Sequence, residues 1–350
     1  MLNVIDNFQM KNVTTLGIGG PAEKFVSVTS ESDLIEAIKY ASENNLAYLV
    51  IGGGSNLLVS DAGVDKLIIK NDIKGIDVIP AKAGIHKNHA WIPDQLPKGG
   101  CVVRDDKVTL SVKSGVSLQD LVNFSIQHGL SGLQKMTGIP GTVGGAVYGN
   151  AGAYGQTISD HITSVVILGR TQSEAWRTTP ESEDSGQARV TLTKDQCEFN
   201  YRDSTFKKNE FTILEVTFQL ETGDTETLQK EADEILSKRL VKYPKGIKCP
   251  GSFFKNIVAE TLTKAVLEKV ADKVIYGKLP AGALLEEVGA KGDSQDGIEI
   301  ADYHANLFIN SSNGTAKAFY DLAQKYVKLV KDKFGITLEP EVQLINLPPL

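Results

Sequence analysis

Two glycine-rich runs are the parts of this chain whose residue types and spacing point most directly to chemistry. The first run, IGGGSNLLVSD at 51–61, places three consecutive glycines before a serine and an asparagine. The second run, TGIPGTVGGAVYGNAGAYG at 137–155, carries seven glycines among small or hydrogen-bonding residues. Consecutive backbone N–H groups in such loops form concave sites for phosphate groups. The chemistry expected of both runs is therefore the binding of an anionic ligand.

Both runs also have a purely structural interpretation, because glycine serves in tight turns and bulges that other residues avoid. For the first run alone, the two interpretations carry equal weight. The second run favours a ligand, since ordering so many small residues costs conformational entropy and buries little side-chain area. Two separated runs predict a long ligand with a pyrophosphate, such as a dinucleotide. No helical pattern follows the first run, so it is not the glycine-rich turn of a Rossmann domain.

The elements that position these runs follow from periodicity and from capping residues. Residues 30–45 and 117–129 have apolar residues at helical spacing, and each segment begins with a serine that is typical of a helix N-terminus. The first glycine run follows the strand-like segment LAYLVI and precedes further β-rich sequence, so it is predicted to be a loop between strands. Further strands are predicted in DKLIIK, GIDVI, SVVIL, EAWRT and EFTILEVTFQLETGD, with a hairpin in CVVRDDKVTLSV.

The character of the sequence changes near residues 222–225, where a domain boundary is predicted. Helical patterns follow at 225–240, 259–270, 281–289 and 315–334. The last segment, GITLEPEVQLINL, returns to a strand pattern.

Composition excludes several classes of protein. The formal net charge of −6 argues against a surface that binds nucleic acids or anionic membranes. No run of about 18 apolar residues is present, and the N-terminus lacks the basic and apolar regions of a signal peptide. Cys101, Cys197 and Cys249 are too far apart for a disulfide framework or a zinc site. We therefore expect a cytoplasmic protein without a metal site.

Eight ordered motifs resemble the UDP-N-acetylenolpyruvoylglucosamine reductase family, whose flavoproteins make UDP-N-acetylmuramate for peptidoglycan. Both glycine runs belong to this set, and together the motifs cover nearly the whole chain. The other six are NVTTLGIGGPAEKFV (12–26), FNYRDSTFK (199–207), GSFFKN (251–256), KLPAGALLEEVGAKG (278–292), HANLFIN (304–310) and LEPEVQLI (338–345).

The resemblance implies an α+β fold in two main domains. Residues 1–222 would form an FAD-binding domain of the vanillyl-alcohol-oxidase (PCMH) type, with lobes at about 1–72 and 73–222. Residues 223–335 would form an α+β substrate-binding domain. Residues 336–350 would form a C-terminal strand that returns toward the active site.

The implied reaction uses non-covalently bound FAD and NADPH as co-substrate to reduce the enolpyruvyl double bond of UDP-N-acetylglucosamine enolpyruvate. The first glycine run would hold the FAD pyrophosphate through backbone N–H groups. The implied FAD-binding residues are Gly52, Gly53, Gly54, Ser55, Asn56, Leu57, Thr137, Gly138, Ile139, Pro140, Gly141, Gly144, Gly145, Ala146, Asn150, Ala151 and Gly152.

The resemblance also implies three catalytic residues, of which Arg202 and Ser252 lie in the YRDS and GSFFKN motifs. Arg202 would bind the substrate carboxylate, because its planar fork matches a carboxylate in two hydrogen bonds. Taken alone, an arginine beside an aspartate is more often part of a surface ion pair. Ser252 would donate the proton to the carbanion, which requires a polarising neighbour and a dry site. Taken alone, a serine after glycine is typical of a turn or cap.

Glu341 is the third implied catalytic residue. Strand alternation would place Glu339, Glu341 and Gln343 on one face, so periodicity leaves two carboxylates in competition. The family's glutamate directly precedes a valine, which selects Glu341. Its role would be to bind the developing enolate or to polarise nearby groups, and the sequence leaves its protonation state open.

Several further residues are implied as binders of UDP-sugar or NADPH phosphates, although each alone would be interpreted as a solvated surface residue. Arg239 lies in a helical segment and is a weaker candidate for a phosphate contact. His304 is expected to pack structurally. The implied substrate-binding residues are Tyr201, Lys242, Lys255, Asn256 and Lys278.

The chain departs from the family pattern at several positions. Gln343 stands where a basic residue is usual, so one phosphate or carboxylate contact is in doubt. Ala283 replaces a common tryptophan, and Ile257 replaces a common proline. The segment 207–251 is too short for the tyrosine-bearing capping loop of one subtype, so the chain resembles the shorter subtype. The irregular segment at 81–100, predicted to be a surface excursion, has no counterpart in the family pattern.

Two alternatives remain open at this point. The first is another FAD-dependent oxidase or dehydrogenase of the same superfamily, which would share the glycine loops without the YRDS, GSFFKN and EPEV motifs. The second is a non-catalytic nucleotide-sugar binder, which would be expected to lose one of the three catalytic residues. A monomer is expected. The sequence leaves open the preference between NADPH and NADH.

Overall fold

The structure, a computed structural model, describes residues 2–79, 107–169 and 188–350. The excursion at 81–100, the EAWRT strand and the first half of the predicted hairpin lie outside the described residues. Within these ranges the α-helices are α1 (Glu31–Glu43), α2 (Leu118–Gln127), α3 (Val143–Tyr148), α4 (Thr225–Lys242), α5 (Lys264–Val270), α6 (Ala281–Glu287) and α7 (Ala316–Phe334).

The strands in the first half of the chain are β1 (Ile5–Gln9), β2 (Pro21–Val28), β3 (Tyr48–Ile51), β4 (Leu57–Val59), β5 (Val64–Asn71), β6 (Ile76–Ile79), β7 (Lys107–Lys113), β8 (Leu130–Ser131), β9 (Gly152–Ala153), β10 (Gln156–Thr157) and β11 (Ile162–Gly169). The later strands are β12 (Ala188–Thr193), β13 (Thr212–Thr222), β14 (Ile257–Val258), β15 (Lys278–Leu279), β16 (Ser294–Gln295), β17 (Ile298–Ile300), β18 (Phe308–Asn310) and β19 (Gln343–Ile345).

The chain divides into two compact units. The first unit contains residues 26–53 and 68–239 together with the first three residues. The second unit contains residues 4–25, 54–67 and 240–350. The predicted domains, by contrast, are continuous stretches of the chain, and their boundaries remain a prediction.

The first unit is built on an antiparallel sheet in the order β12-β11-β13-β7-β6, with β8 pairing with the end of β13. The long strand β13 is central because it pairs with β11 on one edge and with β7 on the other. Its side chains alternate, and Val216, Phe218 and Leu220 are buried. Helix α2 contributes Leu121 and Val122 to the same core, which burial of apolar area stabilises.

Two helices of this unit, α1 and α2, begin where the sequence predicts. The Ser30 hydroxyl accepts a hydrogen bond from the Asp33 N–H at 3.1 Å. The Ser117 hydroxyl accepts one from the Asp120 N–H at 3.0 Å. Each bond satisfies a backbone donor that the first helical turn leaves unpaired. The predicted helices at 30–45 and 117–129 are therefore confirmed as α1 and α2.

The second unit contains an antiparallel sheet in the order β16-β17-β18 and a parallel pair of β4 with β19. Its core is aromatic, since the fully buried rings of Phe253, Phe254, Phe308 and Phe319 contact one another with centroids 4.8–6.0 Å apart. Helix α7 buries its apolar face in this core.

The start of α7 is fixed by Asp61. Its carboxylate oxygens accept hydrogen bonds from the N–H groups of Ala316 and Lys317, both at 2.9 Å. The Thr315 hydroxyl accepts a third, from Ala318. A carboxylate at a helix N-terminus is favourable because it meets unpaired donors and the positive end of the helix dipole.

The C-terminal strand is shorter than the sequence predicts. Strand β19 begins at Gln343, whereas Glu341 and Val342 form a bend. The prediction that Glu339, Glu341 and Gln343 share one strand face is therefore wrong. Pro340 provides the physical reason, since it lacks an N–H group and forms only an isolated bridge with Phe254.

No helix in the described part of the chain combines the length and the apolar composition needed to cross a bilayer.

We predict that Gly20→Ala destabilises the protein. An added Cβ would lie 2.1 Å from the backbone oxygen of Asp61, and Asp61 cannot retreat without weakening the cap of α7. The expected loss in free energy of unfolding is about 1–3 kcal/mol, measured by chemical denaturation.

Gly282→Ala is the matched control, because its added Cβ would meet no atom closer than 3.7 Å and lies within helix α6. Alanine there should leave stability unchanged or raise it by up to about 1 kcal/mol. Equal denaturation midpoints for the two variants would contradict the prediction.

Candidate active site

The first glycine run contacts the second run through backbone in the first unit. A Cβ added at Gly52 would lie 2.1 Å from the Thr142 hydroxyl oxygen. A Cβ added at Gly53 would lie 3.0 Å from the Gly141 Cα. No larger residue fits at these two positions without movement of its neighbours, so close approach is the reason for glycine here.

The second run is not a continuous loop, as its composition suggested, because helix α3 forms inside it. The Thr142 hydroxyl caps this short helix by accepting a hydrogen bond from the Gly145 N–H at 3.3 Å. Val143 and Val147 are fully buried, and their packing offsets the low helix propensity of two glycines. The loop interpretation holds for residues 137–142, where Gly138 and Gly141 have positive φ angles of 76° and 111°.

Arg202 lies beside the second run. Its Nη2 donates to the Gly152 carbonyl at 2.6 Å, and its Nη1 donates to the Asn150 carbonyl at 3.3 Å. The residue has a φ of 54°, which is unfavourable for a side chain with a Cβ. Mutual backbone hydrogen bonds between Asn200 and Asp203 close the turn that holds this conformation. Strained residues of this kind cluster at functional sites.

Asn150 carries a buried polar atom that the described residues do not satisfy. Its Nδ2 donates to the Asn200 carbonyl at 2.8 Å, but its Oδ1 is buried and has no hydrogen-bond partner among the described residues. A buried acceptor without a partner costs about 1–3 kcal/mol. A ligand that donates a hydrogen bond here would remove this cost, and that supports the predicted binding role of Asn150.

In the second unit, the segment that follows Ser252 is held on both edges. Phe253 donates its N–H to the Asn306 carbonyl at 2.9 Å, and its own carbonyl accepts from the Glu341 N–H at 2.7 Å. The Asn306 side chain also bonds both backbone groups of Phe254, each at 2.8 Å. This segment therefore joins two parts of the chain that are distant in sequence.

The Ser252 side chain contacts Tyr243, a residue that the sequence did not single out. The Tyr243 hydroxyl lies 3.0 Å from Ser252 Oγ, and either oxygen can be the donor. The Tyr243 ring lies edge-on to the His304 ring with centroids 6.5 Å apart. No periodic pattern links Tyr243 to Ser252, since a loop separates them, so the sequence contained no indication of this contact.

Glu341 is positioned through its backbone. Its carbonyl accepts from Asn56 Nδ2 at 3.1 Å, and its N–H bonds Phe253. The Glu341 side chain is half-buried, whereas the Glu339 side chain is 74% exposed and lies 3.6 Å from Lys255 Nζ. The two carboxylates therefore differ in environment, which periodicity alone did not distinguish.

His304 is neutral at physiological pH. Burial lowers its pKa to about 4, with smaller contributions from the positive charges of Lys242 and Lys291. Its Nδ1 accepts a long hydrogen bond of 3.4 Å from the Asn306 N–H. These contacts support the structural role expected of His304.

The remaining predicted residues lie on defined elements. Asn256 Oδ1 accepts from the Ala281 N–H at 3.1 Å, at the start of α6. Lys278 lies on β15 opposite Val258, and Lys242 is the last residue of α4. The Arg202 guanidinium lies over the Tyr201 ring, 5.5 Å from its centroid.

Arg239 packs against the second glycine run. A Cβ added at Gly138 would lie 3.2 Å from Arg239 Nε. The Gly138 N–H itself donates to Gln119 Oε1 at 2.7 Å.

Comparison with known proteins identifies two matching family models. The model of the FAD binding domain matches residues 22–87 and 98–171. The model of the UDP-N-acetylenolpyruvoylglucosamine reductase C-terminal domain matches residues 243–345.

Individual relatives match over almost the full length of the chain. A UDP-N-acetylenolpyruvoylglucosamine reductase of Solibacter usitatus is 36% identical over 95% of this chain and 94% of its own length. A UDP-N-acetylenolpyruvoylglucosamine reductase 2 of Bacillus cereus is 33% identical over 96% of this chain and 91% of its own.

A solved structure agrees. The crystal structure of UDP-N-acetylenolpyruvylglucosamine reductase from Thermus caldophilus has a TM-score of 0.67 and 25% identity, and covers 99% of both chains. The predicted α+β fold, with an FAD-binding domain and a C-terminal domain, is confirmed. This chain belongs to the UDP-N-acetylenolpyruvoylglucosamine reductase family of FAD-dependent oxidoreductases.

Proposed function

We propose that this chain uses NADPH to reduce the enolpyruvyl group of UDP-N-acetylglucosamine enolpyruvate, giving UDP-N-acetylmuramate for peptidoglycan synthesis in the cytoplasm. The observation that carries the proposal is the placement of Ser252. Its hydroxyl lies against a second hydroxyl, on a backbone segment that is fixed from both edges. A proton donor at a fixed position is what reduction of a carbon–carbon double bond requires of a protein.

The two glycine runs fit FAD. Backbone N–H groups at 52–56 suit a pyrophosphate, and the unsatisfied Asn150 Oδ1 suits a hydrogen-bond donor of the flavin or ribityl chain. Bound FAD supplies the hydride acceptor and donor that side chains cannot provide. The predicted FAD contacts of residues 137–141, 144–146 and 150–152 complete this proposal.

Arg202 is proposed to bind the substrate carboxylate. Its hydrogen bonds to two carbonyls of the second run orient the guanidinium before a ligand arrives. Orientation in advance reduces the entropy lost on binding. A fixed positive charge also stabilises the negative charge that spreads into the carboxylate as the double bond is reduced.

Ser252 is proposed to protonate the carbon on which this negative charge develops, and Glu341 to polarise groups near the enolate. Tyr201, Lys242, Lys255, Asn256 and Lys278 are proposed to contact the phosphates and sugars of UDP and NADPH. We further propose that NADPH and the sugar substrate take turns in one site, which predicts ping-pong kinetics.

An anaerobic absorbance experiment in two steps tests the proposal. NADPH should bleach the yellow flavin band, and enolpyruvyl-UDP-N-acetylglucosamine should then restore it. Bleaching without recovery of the flavin band would show that enolpyruvyl-UDP-N-acetylglucosamine is not the substrate. A protein that cannot be loaded with FAD would contradict the assignment of both glycine runs.

Ser252→Ala should separate the two half-reactions. Flavin reduction by NADPH should be nearly unchanged, while reoxidation by substrate should slow by about 10²- to 10⁴-fold because the proton donor is lost. Stopped-flow absorbance measures both steps, and Ser237→Ala, which alters an exposed serine on α4, is the control. Equal losses in both half-reactions would show that Ser252 is not mainly a proton donor.

Gly52→Ala should reduce the FAD content of the purified protein. The new methyl group would displace the Thr142 side chain, which cannot move without uncapping α3. The expected readout is a lower ratio of flavin to protein absorbance, together with a loss of about 1 kcal/mol in stability. Gly282→Ala should keep full FAD content, and an unchanged flavin ratio in Gly52→Ala would oppose the predicted role of this loop.

A further inference from the structure

Packing around the Tyr243 ring and backbone pairing of Ser252 hold the hydroxyl groups of these two residues in place. Tyr243 directly follows helix α4, and its ring packs on a buried apolar cluster of Cys249, Ala301 and Leu307. Ser252 forms an isolated antiparallel bridge with Leu307. Because Tyr243 packs on the cluster that contains Leu307 and Ser252 pairs with Leu307, packing and backbone pairing hold the two hydroxyls 3.0 Å apart.

The two hydroxyls differ as acids. A phenol has a pKa of about 10, whereas an aliphatic alcohol such as serine is a much weaker acid. A serine that gives its proton to a carbanion becomes an alkoxide, which is a stronger base than a phenolate. Proton transfer from Tyr243 to the Ser252 oxygen is therefore downhill once Ser252 has reacted.

Two ionisable groups near Tyr243, His304 and Cys249, are poor proton sources. Burial holds the His304 pKa at about 4, so its ring is neutral and carries no extra proton at physiological pH. Burial raises the pKa of the Cys249 thiol. The Tyr243 hydroxyl, by contrast, lies within hydrogen-bond distance of Ser252 Oγ, at 3.0 Å.

We propose that Tyr243 is a positioning residue that orients the Ser252 hydroxyl and returns a proton to it. This inference rests on the proposed function of Ser252. In the step, the Ser252 O–H bond breaks as the new C–H bond forms on the substrate. The Tyr243 O–H bond then breaks as the Ser252 O–H bond re-forms, and the phenolate regains its proton from water.

Tyr243→Phe tests the proposal because it removes only the hydroxyl. Reoxidation of the reduced flavin by substrate should slow by about 10- to 100-fold, while flavin reduction by NADPH and the Kd for substrate should stay unchanged. Tyr326→Phe is the matched control, since it also deletes a tyrosine hydroxyl that hydrogen-bonds a neighbouring side chain, here by donating to Asp293 Oδ2 at 2.8 Å. That control should retain both half-reactions.

A double-mutant cycle separates positioning from a general structural effect. If Tyr243 acts through Ser252, adding Tyr243→Phe to Ser252→Ala should cause no further slowing. Multiplying effects would overturn the proposal, as would equal losses in both half-reactions of Tyr243→Phe.

The same experiments distinguish failure of this proposal from failure of the proposed function. If Ser252→Ala slows reoxidation but Tyr243→Phe does not, only the role of Tyr243 is lost. If the unmodified protein is bleached by NADPH and never recovers its colour with substrate, the proposed function fails and the role of Tyr243 fails with it.

Discussion

The second unit depends on one constraint, the pairing of the backbone after Ser252 along both of its edges. Asn306 holds one edge and Glu341 holds the other, while the rings of Phe253 and Phe254 enter the aromatic core. Three motifs that are far apart in sequence meet in this arrangement. A hydroxyl placed at the start of such a segment keeps its position, because movement would break several hydrogen bonds and expose buried aromatic area.

In the first unit, glycines allow close contacts that fix the neighbouring segments. A Cβ at Gly52 would lie 2.1 Å from the Thr142 side chain, and a Cβ at Gly53 would lie 3.0 Å from the Gly141 backbone. The carbonyls of Asn150 and Gly152 in the second run orient Arg202. Arg202 keeps an unfavourable positive φ because hydrogen bonds on both sides of it close the turn. Both units therefore hold the side chains proposed to be functional through backbone contacts, so the identity of small or capping residues matters as much as that of the charged ones.

Much of the fold could be predicted from local patterns, because capping serines and apolar periodicity act within a few residues of one another. Where the predictions were wrong, the reason is contact between residues that are distant in sequence. Helix α3 forms in a glycine-rich run because Val143 and Val147 are buried by the surrounding core, which outweighs local propensity. The strand at Glu341 is replaced by a bend because Pro340 lacks a donor and its neighbours pair with residues 253–255. The contact of Tyr243 with Ser252 depends on folding of the loop between them.

Asn56 lies in a motif predicted to bind FAD, and it also has a structural role. The first glycine run was expected to serve FAD, yet the Asn56 side chain bonds the Glu341 carbonyl and the Asn56 carbonyl accepts from the Gln343 N–H. The backbone pairing at Gln343 is independent of side-chain type, so the loss of a basic residue there removes charge without removing this contact. These hydrogen bonds thus join the first glycine run to the segment that carries Glu341. A substitution at Asn56 changes both the first glycine run and the segment that carries Glu341. Loss of FAD in such a variant would therefore not by itself identify Asn56 as an FAD ligand.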